Sequence, residues 1–108
     1  MSQFVAINHI TCSPEYLERF ETLFKSRAGA IDHMAGFNGM EVLKPNTEDG
    51  PYLVVSHWDS EADFQAWTKS DAFSEGHRRA FADLKVAAER GEKPPMHSQF
   101  KTYTVLTR

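Results

Sequence analysis

The sequence predicts an α+β fold in one domain: a four-stranded antiparallel sheet with helices packed on one face. Three observations carry this expectation. The chain has 108 residues, enough for one hydrophobic core and too few for two, so a single domain over 1–108 is expected. Segments of two-residue alternation and of three-to-four-residue apolar spacing follow one another as strand, helix, strand, strand, helix, helix, strand. The composition, 41% hydrophobic, 25% charged and 12% aromatic, is that of a globular chain and unlike a disordered or bilayer-spanning one.

Residues 4–11, FVAINHIT, place Phe4, Ala6, Asn8 and Ile10 on one face and Val5, Ile7, His9 and Thr11 on the other. Both faces are largely apolar, which predicts a central strand. Ser13, Pro14 and Glu15 read as an N-cap, a first-turn proline and a first-turn acid. They predict one helix over 14–34, with Leu17, Phe20, Phe24, Ala28 and Ile31 as its buried stripe. Gly36 and Gly39 break that helix, and a short strand over 40–43 precedes a polar turn over 46–51. Tyr52–Trp58, YLVVSHW, is the strongest strand signal in the chain. Asp59 and Ser60, with Glu61 and Asp63 in the first turn, open a second helix. Ser70 and Asp71 cap a third helix, which runs to about Arg90 and is stopped by Gly91. After the Pro94-Pro95 loop, residues 97–107 form the closing strand, with Phe100, Tyr103, Val105 and Leu106 as apolar content. The order is the split-βαβ, ferredoxin-like βαββαβ pattern with an extra helix. Helices cover one sheet face, and a second copy of the chain is the simplest cover for the other.

A net charge of -3 and a longest basic cluster of Arg78-Arg79 leave nothing to neutralise a phosphate backbone, so no nucleic-acid partner is expected. The single Cys12 cannot close an intramolecular disulfide. The N-terminal residues lack the charged and apolar regions of a secretory leader. A cytoplasmic protein with no membrane partner is the expectation.

Three residues stand out against their elements. His77 lies in an apolar helical row with Phe73 four residues before it, Phe81 four after, and Leu84 and Ala88 beyond. Such an imidazole is either a core histidine satisfied by backbone or an axial ligand to iron between apolar walls that suit a porphyrin. Asn8 is an amide on an otherwise apolar strand face; it either bonds a neighbouring loop or aims its NH2 group into a pocket. Trp67, three residues after Phe64, taken alone reads as core. His9, His33, His57 and His97 have no metal-binding partner at ligand spacing on their own elements, and Cys12 has no recognisable activating neighbour. No glycine-rich phosphate loop, GxSxG elbow or HExxH motif is present.

Asn8 in the first strand, Trp67 in FQAWTKSDAF and His77 in the following SEGHRRAF together make the chain resemble the IsdG-type haem-degrading monooxygenases of the antibiotic biosynthesis monooxygenase (ABM) superfamily. The likeness runs nearly the full length. It includes Arg27 and AGFNGMEVLKP, similar to that family's GFxG turn after the first helix, and the combination of W-x9-H with the strand asparagine is its most specific part. The resemblance implies a homodimeric α+β barrel in which each subunit binds one haem and cleaves the porphyrin with O2, using an external electron donor supplied by an unidentified reductase. It implies His77 as the proximal iron ligand and Asn8 as the distal amide hydrogen-bonded to oxygen on the iron. Trp67 becomes the bulky group that distorts the ring, and Phe24 and Arg27 become pocket-lining residues. Two other readings stand beside it: a cofactor-independent monooxygenase of the same superfamily acting on a polycyclic phenol or quinol, and a haem carrier without turnover.

Overall fold

The computed structural model describes residues 3–25 and 30–108. Four strands, β1 (Phe4–Cys12), β2 (Phe37–Leu43), β3 (Tyr52–Trp58) and β4 (Met96–Thr104), form one antiparallel sheet in the order β2-β3-β1-β4. The helices are α1 (Leu17–Lys25), α2 (Glu61–Thr68) and α3 (Asp71–Glu89), with single 3-10 turns at Pro14–Tyr16 and Ala30–His33. This is the ferredoxin-like arrangement with one additional helix. β1 is central as its two apolar faces require: Asn8 lies opposite Val54 of β3 and Phe100 of β4.

Four sequence expectations shift. The predicted 14–34 helix is not one element: it opens with a 3-10 turn, α1 is described over Leu17–Lys25, and Ala30–His33 form a second 3-10 turn. Ser13 makes no side-chain cap, because its hydroxyl donates to the Pro95 carbonyl at 3.2 Å and ties the turn to the start of β4. Arg27 and Ala28 lie outside the described residues. The second strand begins at Phe37, not Met40, since Phe37 pairs with Trp58 and packs edge-on to its indole; the register shifts between Phe37 and Gly39. β4 runs from Met96 to Thr104, so Val105 and Leu106 follow the strand, and Leu106 is 95% exposed.

The two helix breaks expected near residues 60 and 70 are built by serines. Ser60 Oγ accepts from the Asp63 N–H and Ser70 Oγ accepts from the Phe73 N–H, so α2 and α3 are separate rods joined by a tight corner. That corner is what brings Trp67 and His77 together. Gly36 turns the chain into β2 with φ +78, and a Cβ there would strike the Asp63 side chain, so both conformation and space demand glycine.

The core on the helix side is divided. One cluster gathers Phe4, Ala6, Ile31, Trp58, Phe64 and Trp67; the other gathers Ile10, Tyr16, Phe20, Leu23 and Tyr52. Along β1 the clusters meet at Ala6 and Ile10, and the residue between them on that face is Asn8. The Tyr52 hydroxyl donates to Glu21, which Lys44 also meets at 3.0 Å, fastening α1 to the sheet. No described helix is long and apolar enough to cross a membrane.

Candidate functional site

A cavity of about 640 Å³ opens between the sheet and the helices, within the range of small-molecule and cofactor sites. Its floor is Ala6, Asn8 and Ile10 of β1, Val54 and Ser56 of β3, Met40 of β2, and Met96, Ser98 and Phe100 of β4. Its roof is Phe20, Leu23 and Phe24 of α1, Trp67 of α2, and Phe73, His77, Ala80, Phe81 and Leu84 of α3. Asn8, Trp67, His77 and Phe24, picked out in the sequence, therefore share one chamber. Arg27 lies outside the described residues.

His77 sits half-buried on α3. Its Nδ1 is 2.8 Å from the Phe73 carbonyl oxygen, four residues earlier. A carbonyl can only accept, so Nδ1 carries the proton and donates, which leaves the lone pair of the neutral ring on Nε2. The ring is stacked against Phe73 (centroids 4.1 Å apart) and Phe81 (5.6 Å), and Trp67 is 6.3 Å away. Tautomer and orientation are thus set by backbone and aromatic neighbours, the support that metal-ligating imidazoles need.

The Asn8 carboxamide is the polar anomaly of the floor. Its Oδ1 is buried and has no hydrogen-bond partner, with the apolar Val54 and Phe100 on either side in the sheet. The loop partner that a structural asparagine would have is missing, and an acceptor left in this condition costs about 1–3 kcal/mol. Trp67 is 7% exposed, stacked on Trp58 at 6.4 Å and edge-on to Phe73 at 5.4 Å. It belongs to the core and walls the cavity at once. Its indole cannot swing aside without emptying the cluster behind it. Trp58 is wholly buried, with its Nε1–H donating to Ser56 Oγ at 2.9 Å, so it is core.

Sequence reading missed the contributions of Met40 from β2, of Met96, Ser98 and Phe100 from β4, and of Arg79 on α3. Phe100 carried a faint signal: it alternates with polar residues on an edge strand, and it stacks on Phe64 at 5.4 Å while remaining half exposed. Outside the cavity, no activating cation lies against Cys12 among the described residues, and burial pushes its thiol up to about 11, so it is a poor nucleophile. Between α1 and α3, Asp83 accepts from the Tyr16 hydroxyl at 2.6 Å and pairs with Arg19 at 3.0 Å. Burial alone would raise the Asp83 carboxyl; the Tyr16 hydroxyl and the Arg19 guanidinium outweigh it and hold the group below the usual carboxylate range.

Residues 3–79 match the antibiotic biosynthesis monooxygenase family. The chain belongs to that family. A haem oxygenase (staphylobilin-producing) of Staphylococcus haemolyticus is 35% identical over 106 residues, covering 96% of both chains. A haem oxygenase (mycobilin-producing) of Mycobacterium tuberculosis is 37% identical over 76 residues, or 68% of this chain and 72% of that one. Among solved structures, the haem-degrader MhuD of Mycobacterium tuberculosis with two haems in its active site superposes with TM-score 0.70 at 28% identity, covering 97% of each chain. The cofactor-independent oxygenase SnoaB of Streptomyces nogalater has TM-score 0.69 at 18% identity, over 100% of this chain and 97% of that one, a likeness of fold. Within the antibiotic biosynthesis monooxygenases, the chain falls with the IsdG-type haem-degrading enzymes.

Proposed function

We propose that the protein is a haem-degrading monooxygenase that takes haem into this cavity as substrate, binds its iron through His77 and cleaves the porphyrin with O2 and external electrons, releasing iron. The observation that carries this reading is the state of His77: Nδ1–H committed to the Phe73 carbonyl, and Nε2 left as a lone-pair donor between two phenylalanines. The bound haem would supply the redox chemistry, and its own ring is the oxidised carbon skeleton. The chain's residues supply position. His77 fixes the iron relative to α3. Asn8 offers from the sheet the one carboxamide of an apolar floor, a donor and acceptor for a polar atom beside the ring. Trp67, rigid against Trp58, presses on whatever flat ligand enters. Phe24 closes the α1 side, and Arg27 is assigned to the pocket by the family resemblance alone.

The protein is proposed to act as a homodimer. The sheet face away from the helices carries Val5, Ile7 and Leu53, each partly exposed, with Leu43 and Tyr103 about half exposed, and covering it with a second copy would bury this apolar surface. Sedimentation at micromolar concentration tests it, with a monomer as the contrary result. The proposal extends to a single domain over 1–108, a cytoplasmic setting, no nucleic-acid or membrane partner, and a reductase as electron source.

Titration with hemin is expected to give a Soret band, and ascorbate or a reductase in air is expected to bleach it, with an opened tetrapyrrole by mass spectrometry. A Soret band that persists under reductant in air would make the protein a haem carrier instead. No Soret band at all would point to the cofactor-independent oxygenation of a polycyclic phenol or quinol.

A further inference from the structure

Ser56 is a buried polar residue of the cavity floor, 8% exposed, and its hydroxyl is engaged on one side only. Trp58 Nε1–H donates to Ser56 Oγ at 2.9 Å. An indole nitrogen can only donate, so this bond has one direction, and the full burial of Trp58 keeps it in place. The Ser56 O–H is thereby turned away from the indole, and it donates to no described residue. Its partners across the sheet, Ala6 and Met40, have apolar side chains, and the cavity is the open side. Asn8 stands one diagonal step away, since it lies opposite Val54, two residues before Ser56 on the same face of β3. Enclosure of Asn8 Oδ1 leaves the NH2 end of the carboxamide for the cavity. Two donors, Ser56 O–H and Asn8 Nδ2–H, thus face one part of a floor that is otherwise made there by Ala6, Val54 and Met40.

We propose that Ser56 is a positioning residue: together with the Asn8 amino group it holds a water molecule on the cavity floor with both of that water's protons turned toward the ligand. The inference rests on the haem reading above, in which the ring lies between His77 and the sheet. Diagonal neighbours on one sheet face are roughly 7 Å apart, too far for a direct hydrogen bond and within the span of one water. A water that accepts from two donors has used both lone pairs, so toward a third group it acts only as a donor. Polarisation along the series from the Trp58 N–H through the Ser56 O–H makes it a stronger donor than free water. The series runs one way, from an indole held in the core to protons presented beside the ring. Oxidation by O2 consumes protons as well as electrons, and none of the described floor residues is titratable. A held water is therefore the proton-bearing group that this face can offer to the ligand.

The test titrates fluoride, an anion that binds ferric haem and accepts hydrogen bonds strongly, into the hemin complexes of the full-length protein and its variants, read by absorption. Ser56→Ala is expected to keep hemin affinity to within about twofold and to bind fluoride roughly five- to tenfold more weakly, the scale of one hydrogen bond. Loss of a merely structural serine would weaken hemin and fluoride together. Ser56→Thr, which keeps the hydroxyl, should restore most of the fluoride affinity. Asn8→Ala should also weaken fluoride, and the double variant should lose far less than the product of the two single losses, because either change releases the same water. Unchanged fluoride affinity in Ser56→Ala overturns the proposal, as does a double variant whose loss equals that product; in both cases the Soret band leaves the haem reading standing. Absence of a Soret band from every protein overturns both. Ser56→Ala also strips the Trp58 N–H of its acceptor. Should that variant lose its far-UV circular dichroism, Ser56→Cys, similar in size and a weak donor, decides: reduced fluoride affinity supports the held water, and affinity equal to that of the unsubstituted protein overturns it.

Discussion

Asn8→Leu should make the haem-free protein more stable and the enzyme much slower. The buried Oδ1 of Asn8 has no partner, and this unsatisfied acceptor costs about 1–3 kcal/mol. Leucine is close to asparagine in size and shape, its neighbours across the sheet are Val54 and Phe100, and the cavity in front gives its methyl groups room. Overpacking is therefore not expected, and a net gain of about 1–2 kcal/mol should raise the melting temperature by roughly 4–8 °C for a domain of this size. The same change removes the one carboxamide that the sheet presents to the proposed substrate. A hydrogen bond to a partly charged acceptor is worth about 1.5–3 kcal/mol, so the rate should fall by one to two decades. Thermal melts of the haem-free protein give the first quantity, and single-turnover decay of the Soret band at matched hemin loading gives the second. Opposite signs are the point of the experiment, since ordinary core damage lowers both. A melting temperature reduced by several degrees would show that the amide is satisfied in the folded protein. Unchanged decay would reduce Asn8 to a strand residue without a part in the reaction.

His77→Ala should lose the bond to iron and with it the Soret maximum and turnover, whereas alanine at His9, His33, His57 or His97 should leave the spectrum unchanged; absorption spectra of the five hemin complexes decide the assignment. Trp67→Phe should keep the fold, with partial loss of oxygenation in the Soret-decay assay. Trp67→Ala, which empties a site packed on Trp58 and Phe73, should cost about 3–5 kcal/mol by urea denaturation, so activity has to be read from the phenylalanine variant. Because the folded Asp83 carboxyl lies below its unfolded value, its contribution is fully present above the ordinary carboxylate pKa of about 3.9 and is lost as pH falls through the folded one. Urea midpoints followed into acid should therefore drop less steeply in Asp83→Asn than in the unsubstituted protein, and parallel curves would remove Asp83 from the acid limb.

Local pattern determined much of this protein. The alternation in FVAINHIT puts Asn8 on the same face as Phe4, Ala6 and Ile10, and the structure sets that face under the helices. The serines at 60 and 70 announce the corner between α2 and α3, and the spacing of Phe73, His77 and Phe81 announces one helical face. These features are legible because they depend on neighbours within a few residues, through staggered side chains, caps and helical periodicity. The irregular start of the first helix is illegible for the complementary reason: Ser13 gives its hydroxyl to Pro95, 82 residues away, a partner that no local rule contains. Only the tertiary structure decided that the core divides into two clusters with a cavity between them, that Asn8 lies unpartnered on its floor, and that Phe100 and Arg79 belong to its rim. Cavities and orphaned polar atoms arise where elements distant in sequence fail to fill the space they enclose, and that is fixed by how the elements pack rather than by the pattern within any one of them.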